Sequence, residues 1–220
     1  MPAPKKETVT FLLPEGRVIN EALFEKDAYV DPRTEKAGTP FYKIELAFAP
    51  EAVTGQGTIE DDLIEAACQE WGDSAEKEFL DGSIRSPFLD GDKLAKKRAD
   101  KGKEGEAYKG TIVIRANTLF NLNGQDAPGG IQVYDENVKA IGPAQRAAIY
   151  PGMYGQCAVT ILCYLDNGGD KAMKFYLSAF QKTKDGEKLI ASSDHSSLFK
   201  PVGTPVVAAG EPATRSRRAR

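Results

Sequence analysis

The chain has 220 residues, 41% of them hydrophobic and 28% charged, the balance of a soluble globular protein and long enough for one elaborated domain with a real core. Its formal charge of -3 excludes the simplest signature of a nucleic-acid binder, a strongly basic chain, so any polyanion site must come from local separation of charge. Three cysteines and one histidine exclude a disulfide framework and leave no pair at zinc-ligand spacing.

Nothing at the start has the apolar run of a secretory signal, and no stretch approaches the roughly 18 apolar residues of a membrane span, so a cytosolic protein is expected. Cys157 and Cys163 on one extended strand would lie about 20 Å apart, beyond the roughly 7 Å Cα limit of a bridge. With Cys68 they read as reduced core residues.

TVTFLLPEGRVI and PFYKIELAF have the residue choice of strands. In the second, Tyr42, Ile44, Leu46 and Phe48 share one side and Phe41, Lys43 and Glu45 the other, the alternation of a half-buried strand. TGQGTIEDDLIEAACQEWG then reads as a helix. Thr58 is placed to cap it, and Asp61 at the third helical position makes a capping box with Asp in place of the usual Glu. Ile59, Leu63, Ala67 and Trp71 recur at helical spacing, Ile64 and Cys68 widen the stripe, and Gly72 stops it. That is a helix packed on a sheet rather than a cofactor site.

Between residues 73 and 109 the periodicity is lost and charge takes over. Lys93, Lys96, Lys97, Arg98, Lys101 and Lys103 crowd ahead of Tyr108 and Lys109, and a long, mobile, basic loop is expected. A solvated charge run without further role reads equally well. GTIVIRANT follows as a strand with Ile112 and Ile114 on one side and Thr111, Val113 and Arg115 on the other. A turn-rich connection leads to a short strand at Gln132 to Tyr134 without a domain linker, so one domain is expected over residues 1–200. Residues 201–220, rich in Pro, Gly, Ala and Arg, read as a flexible basic tail. Its Arg215, Arg217, Arg218 and Arg220 fit non-specific phosphate contact, solubility or a localisation signal equally.

The segment AVTILCYLDNGGDKAMKFYLSAF reads as a hairpin turning at Asp166 to Asp170. If Leu165 pairs with Lys171, one face carries Cys163 with Met173, Ile161 with Phe175, Val159 with Leu177 and Cys157 with Ala179. That face is apolar throughout and belongs in the core. The opposite face carries Tyr164 with Ala172, Leu162 with Lys174, Thr160 with Tyr176, Ala158 with Ser178 and Gln156 with Phe180. Three rings, a lysine and small polar residues make a poor core but a usable platform. Bases stack on rings for about 1–3 kcal/mol each whatever their sequence, and lysines neutralise phosphate. Cover by a helix or by the N-terminal strands is the alternative, since aromatic residues are common in strands anyway.

The run IYPGMYGQCAVTILCYLDNGGDKAMKFYLSAFQKTKDGEKL closely resembles the C-terminal half of a phage-encoded single-stranded-DNA-binding protein family. The matching features are Tyr150 and Gly152 ahead of a long strand, the hairpin, LSAFQK from Leu177, and the KDGEKL turn around Asp185 and Gly186. Upstream, LDGDK at Leu89, YKGTIVIRA at Tyr108 and PFYKIELAF at Pro40 extend the likeness in order over roughly residues 8 to 190. The specificity lies in that order, no single motif being diagnostic.

The resemblance implies a mainly β fold: an OB-fold-like antiparallel barrel with an inserted helix and long loops. It further implies a sequence-nonspecific binder of single-stranded DNA in phage replication, recombination or repair, working in the cytoplasm of the infected host with phage or host replication proteins and without a cofactor. One departure stands out. Many single-strand binders end in an acidic tail that recruits replication partners, whereas this chain ends in TRSRRAR.

On the face assignment, Tyr164, Tyr176 and Phe180 would stack bases, Lys174 and Arg115 would meet phosphates, and Lys43 would stand near the rim. Lys96, Lys97 and Arg98, with Tyr108 and Lys109, would close over the strand, and Tyr150 and Tyr154 would extend the platform or serve as structural tyrosines. Glu60, Asp61, Asp62, Glu65 and Glu70 form a negative surface opposite. Two other readings stay open. One is a magnesium-dependent nuclease using Asp90 and Asp92 with Asp126 or Asp135. The other is a structural phage accessory protein.

Overall fold

A computed structural model of the chain describes residues 9–28, 35–38, 40–118 and 131–189. The N-terminal stretch read as one strand is two, because Pro14 cannot donate to a ladder: β1 is Thr10–Leu12 and β2 is Gly16–Asp27. After β3 (Phe41–Phe48) come helices α1 (Ile59–Trp71) and α2 (Ser74–Leu80), strand β4 (Phe88–Asp90) and helix α3 (Gly91–Ala99). Strands β5 (Ile112–Asn117), β6 (Gln132–Tyr134), β7 (Tyr154–Leu165) and β8 (Lys171–Lys184) complete the order.

Five of these strands close on themselves in the ring β2–β3–β5–β8–β7 and back to β2. All contacts in the ring are antiparallel except β5 with β8, which is parallel. Counted by their order in the chain the ring runs first, second, third, fifth, fourth, which is the strand order of an OB barrel. β1 flanks β7, β4 flanks β5 and β6 flanks β8. Alternate side chains fill the interior: Val18, Ile44, Leu46, Ile114, Val159, Phe175 and Leu177 are all at most 1% exposed. α1 lays Ile59, Leu63 and Ala67 against the same core.

The seam between β2 and β7 is only two residue pairs long and contains Gly16 opposite Gly155. A Cβ on Gly16 would stand 2.6 Å from the Phe48 ring, and one on Gly155 would stand 2.3 Å from the Phe180 ring. The barrel closes where two glycines let two phenyl rings lie directly on the backbone.

The helix cap holds with one change. Thr58 Oγ1 accepts from the Glu60 N–H at 3.3 Å, but the Asp61 carboxylate accepts from Gly57 N–H rather than from the cap residue. The expected basic loop is not one, for its residues form α2, β4 and α3. Asp90 caps α3 by accepting from the Lys93 N–H at 3.0 Å, and Lys96, Lys97 and Arg98 occupy the last turn, where cations favour the helix dipole. With only Gly91 and Ala95 buried, a nine-residue helix carries too few apolar residues to show a period.

Candidate nucleic-acid interface

The hairpin follows the expected register from Leu165–Lys171 to Val159–Leu177, then departs from it. A bulge at Ser178 pairs Ala158 with Ala179, Cys157 with Phe180 and Gln156 with Gln181. Phe180 is therefore turned inward and is 1% exposed, its ring sealing the Gly155 seam. It is no part of a stacking surface. Cys157 is likewise inside, where burial pushes its thiol pKa up, and no disulfide joins the described cysteines.

What remains on the outward face is continuous around the barrel. Because Ala116 and Phe175 are inward partners, Asn117 and Tyr176 are outward partners across the parallel contact. The ladders then run Thr160, Tyr176, Asn117, Lys43 and Ala22 side by side over β7, β8, β5, β3 and β2. At the ladder spacing, Thr160 to Lys43 spans about 14 Å. Tyr176, Asn117 and Lys43 are all half-buried, whereas Thr160, paired with Thr10 of β1, is buried.

Beside this row, toward the β7–β8 turn, lies a second group. Lys174 Nζ sits 4.7 Å from the centre of the Tyr164 ring, and Arg85 donates to the Tyr164 hydroxyl at 3.3 Å while pairing with Asp166. Arg85 arrives through a bridge to Ala172 on the free edge of β8. The Asp166 carboxyl, which accepts from Gly168 and Asp170 N–H groups, is held below the usual carboxylate range by those bonds and then by Arg85. Acceptance by a rigid turn keeps Tyr164 and its two cations in one place.

A third group crosses β2, β3 and β5. Arg115 donates from Nε and Nη2 to Glu45 Oε1, both at 2.6 Å, and Asn20 Nδ2 reaches Glu45 Oε2 at 3.5 Å. The Glu45 side chain is 7% exposed and that of Arg115 46%. Lys43 pairs with Asp27, whose carboxyl that contact holds below its usual range.

The remaining expected contacts lie elsewhere. Tyr108 is 4% exposed and packs with Ile19, Ala47, Ala95 and Val113, which buries the outward side of Val113 too. Arg98 is spent on holding it, stacked 4.9 Å from the ring centre with Nε on the Glu104 carbonyl at 2.7 Å. Of the expected contacts there, Lys96 and Lys97 on α3 and Lys109, paired with Glu106, stay exposed. The Tyr150 hydroxyl donates at 2.7 Å to Asp185, whose exposed carboxylate also pairs with the buried Lys182. Tyr154 carries Lys184 over its ring at 4.5 Å, about 33 Å along β7 from Tyr164. The acidic helix packs on the hairpin with Cys163 against the Ala66 carbonyl, and its Asp62, Glu65 and Glu70 line a cavity shared with Thr160 and Leu162 of β7. There Asp62 is pushed upward by burial and by Glu65 and Asp61.

Two surfaces therefore meet, the outward side of barrel strands two and three and the side next to the loop joining strands four and five. Those are the parts of an OB barrel that hold oligonucleotides. The family model described as Enterobacter phage Enc34, ssDNA-binding protein, matches residues 19–205. The chain belongs to that family.

No curated protein matches the sequence. Among solved structures, the Enc34 single-stranded DNA-binding protein in complex with ssDNA superposes with a TM-score of 0.55 at 16% identity, covering 82% of this chain and 89% of that one. Another structure of the bacteriophage Enc34 single-stranded DNA-binding protein gives 0.55 at 19% identity over 86% and 88%. The gp2.5 single-stranded DNA-binding protein of bacteriophage T7 gives 0.52 at 12% identity, over 90% and 98%. At such identities the likeness shows the fold. Within this Enc34-family fold, Arg85, Asn117, Asn20 and the anchoring role of Glu45 left no local sequence signal, since each reaches the face only through strand pairing.

Proposed function

We propose that this chain binds single-stranded DNA without sequence preference, coating and protecting it during phage DNA replication, recombination or repair in the cytoplasm of the infected host. The reading takes residues 1–200 as the binding domain and 201–220 as an appended basic tail; that tail lies outside the described residues. It assigns no catalytic step and no cofactor. The observation that carries it is the outward row of Tyr176, Asn117 and Lys43, continuous with Tyr164, Lys174 and Arg85, on the face where an OB barrel takes oligonucleotides. Family membership supports the same reading.

Bases would stack on Tyr176 and Tyr164, displacing the Lys174 ammonium from the second ring toward a phosphate. Arg85 would meet the backbone beside it. The stacking and phosphate contacts do not distinguish one base from another. Affinity is expected to fall steeply with salt as counterions are released. No helix among the described residues is long and apolar enough to cross a membrane.

The nuclease reading has less support. Asp90 caps α3, Asp92 accepts from Gly110 N–H, and Asp135 accepts from Asn137 and Lys139 N–H groups. Asp126 lies outside the described residues. These carboxylates do turn and cap work, and no group of three or more possible ligands occurs among the described residues.

The test is a competition gel shift of the full chain with labelled oligo-dT against unlabelled single-stranded DNA, duplex and RNA, with magnesium present. Retarded, intact strand displaced best by single-stranded DNA supports the proposal. Cleavage of the label would favour a nuclease, and equal competition by duplex a structural virion protein.

A further inference from the structure

The cations on the β3 and β5 surface are not waiting empty-handed. Lys43 is held by Asp27, and Arg115 is held twice by Glu45, which is also touched by Asn20. In contrast, Lys174 lies over a ring and has no carboxylate partner among the described residues. A polyanion-binding face that carries its own anions at the positions a phosphate would occupy calls for a reason, since burying a carboxylate costs free energy unless it is paired.

Resting on the single-stranded-DNA reading, we propose that Asp27 and Glu45 are built-in rivals of the DNA backbone, which hold Lys43 and Arg115 in the free protein and limit how tightly a strand is bound. The two differ in kind. The Asp27 side chain is 43% exposed, so it can swing off Lys43 when a phosphate arrives. Glu45, 7% exposed and clamped between two strands, cannot leave.

A guanidinium has five N–H donors, and Glu45 takes two of those on Arg115. The outward edge remains for a phosphate, so Arg115 would bridge carboxylate and phosphate. The phosphate then sits about 5–6 Å from a fixed negative charge, a distance at which like charges near a protein surface still repel appreciably. The consequence is a face that is correctly oriented yet deliberately weak, from which a strand exchanges readily. At the Tyr164–Lys174 end Arg85 is paired with Asp166, but Lys174 has no carboxylate partner among the described residues, so that lysine is where a strand would be gripped first.

The test measures oligo-dT affinity by fluorescence anisotropy over a salt series for the wild-type chain, Glu45→Gln and Asp27→Asn, with a thermal melt of each. Glu45→Gln keeps the volume and an acceptor for Arg115 while removing the charge, and is expected to bind about tenfold tighter, equivalent to about 1.4 kcal/mol. Asp27→Asn, at an exposed pair, is expected to bind about two- to fivefold tighter, in keeping with the small worth of surface ion pairs. Each should also steepen the salt slope by up to about one, as a cation once neutralised internally now releases a counterion from DNA.

Folded variants that bind no tighter than wild type would overturn the proposal while leaving the DNA reading intact. Should Glu45→Gln fail to fold, Asp27→Asn decides alone. A wild-type chain that does not retain oligo-dT would sink both readings together.

Discussion

The hairpin end around Tyr164 and the α3 region around Tyr108 have similar composition, each with a tyrosine among lysines and an arginine, and they do opposite things. At the hairpin, the rings alternate along a strand whose other side is already committed to the core, so Tyr164 and Tyr176 keep a face toward solvent. In the α3 region the ring itself is the core of a small cluster, 4% exposed, and Arg98 packs on it. The difference teaches that aromatic and basic residues in proximity do not make a stacking surface. What decides is whether another part of the chain needs the ring's face for packing.

The sharpest way to break this contrast is to remove the buried rings. Tyr108→Ala and Phe180→Ala are each expected to cost about 3–5 kcal/mol of stability, as large-to-small changes at buried aromatic sites do. Both should lower Tm in a melt while leaving the oligo-dT affinity of the remaining folded protein near wild type. Tyr164→Ala and Tyr176→Ala should do the reverse, each weakening oligo-dT binding by about 1–3 kcal/mol with little change in Tm. If both bind like wild type, the surface is wrongly chosen even where single-strand binding itself stands.

The cations sharpen the comparison further. Lys174→Ala should weaken binding alike on every single-stranded sequence and lower the salt slope by about one. Lys96→Ala with Lys97→Ala, on the exposed side of α3, should change affinity less than Lys174→Ala alone if that helix is a wall beside the strand rather than its floor.

The smallest effect concerns acid. Asp166 is held below its ordinary range by backbone N–H groups and by Arg85, so its contribution to stability is present above the unfolded-state value near about 3.9 and is lost as pH falls through the lower folded value. Asp166→Ala should therefore flatten the decline of Tm as pH falls below the unfolded-state value and loosen the turn that holds Tyr164.

Much of the face was legible in the sequence because a strand's alternation is a local property. The inward and outward sets of β3, β5 and most of the hairpin follow from a period of two, and the expected pairs of Tyr164, Lys174 and Tyr176 are the observed ones. The α1 stripe and its Thr58 cap follow from the helical period in the same way. The loop expected in place of α2 and α3 shows the limit: helices of seven and nine residues, α3 held by its Asp90 cap and a charged last turn, leave no period to read.

What the amino-acid order determined by itself was which residues share a side, since that depends only on backbone geometry over neighbouring positions. What only the tertiary structure decided was which sides are covered and who stands beside whom. The bulge at Ser178 that turns Phe180 inward answers the need to fill the seam over Gly155, on another strand. Tyr108 is buried by residues from β2, β3 and β5, and Arg85, Asn117 and the Glu45 anchor join the face through pairings between segments far apart in the chain. Burial and cross-strand neighbours are properties of the closed barrel, and no local pattern of side chains encodes them.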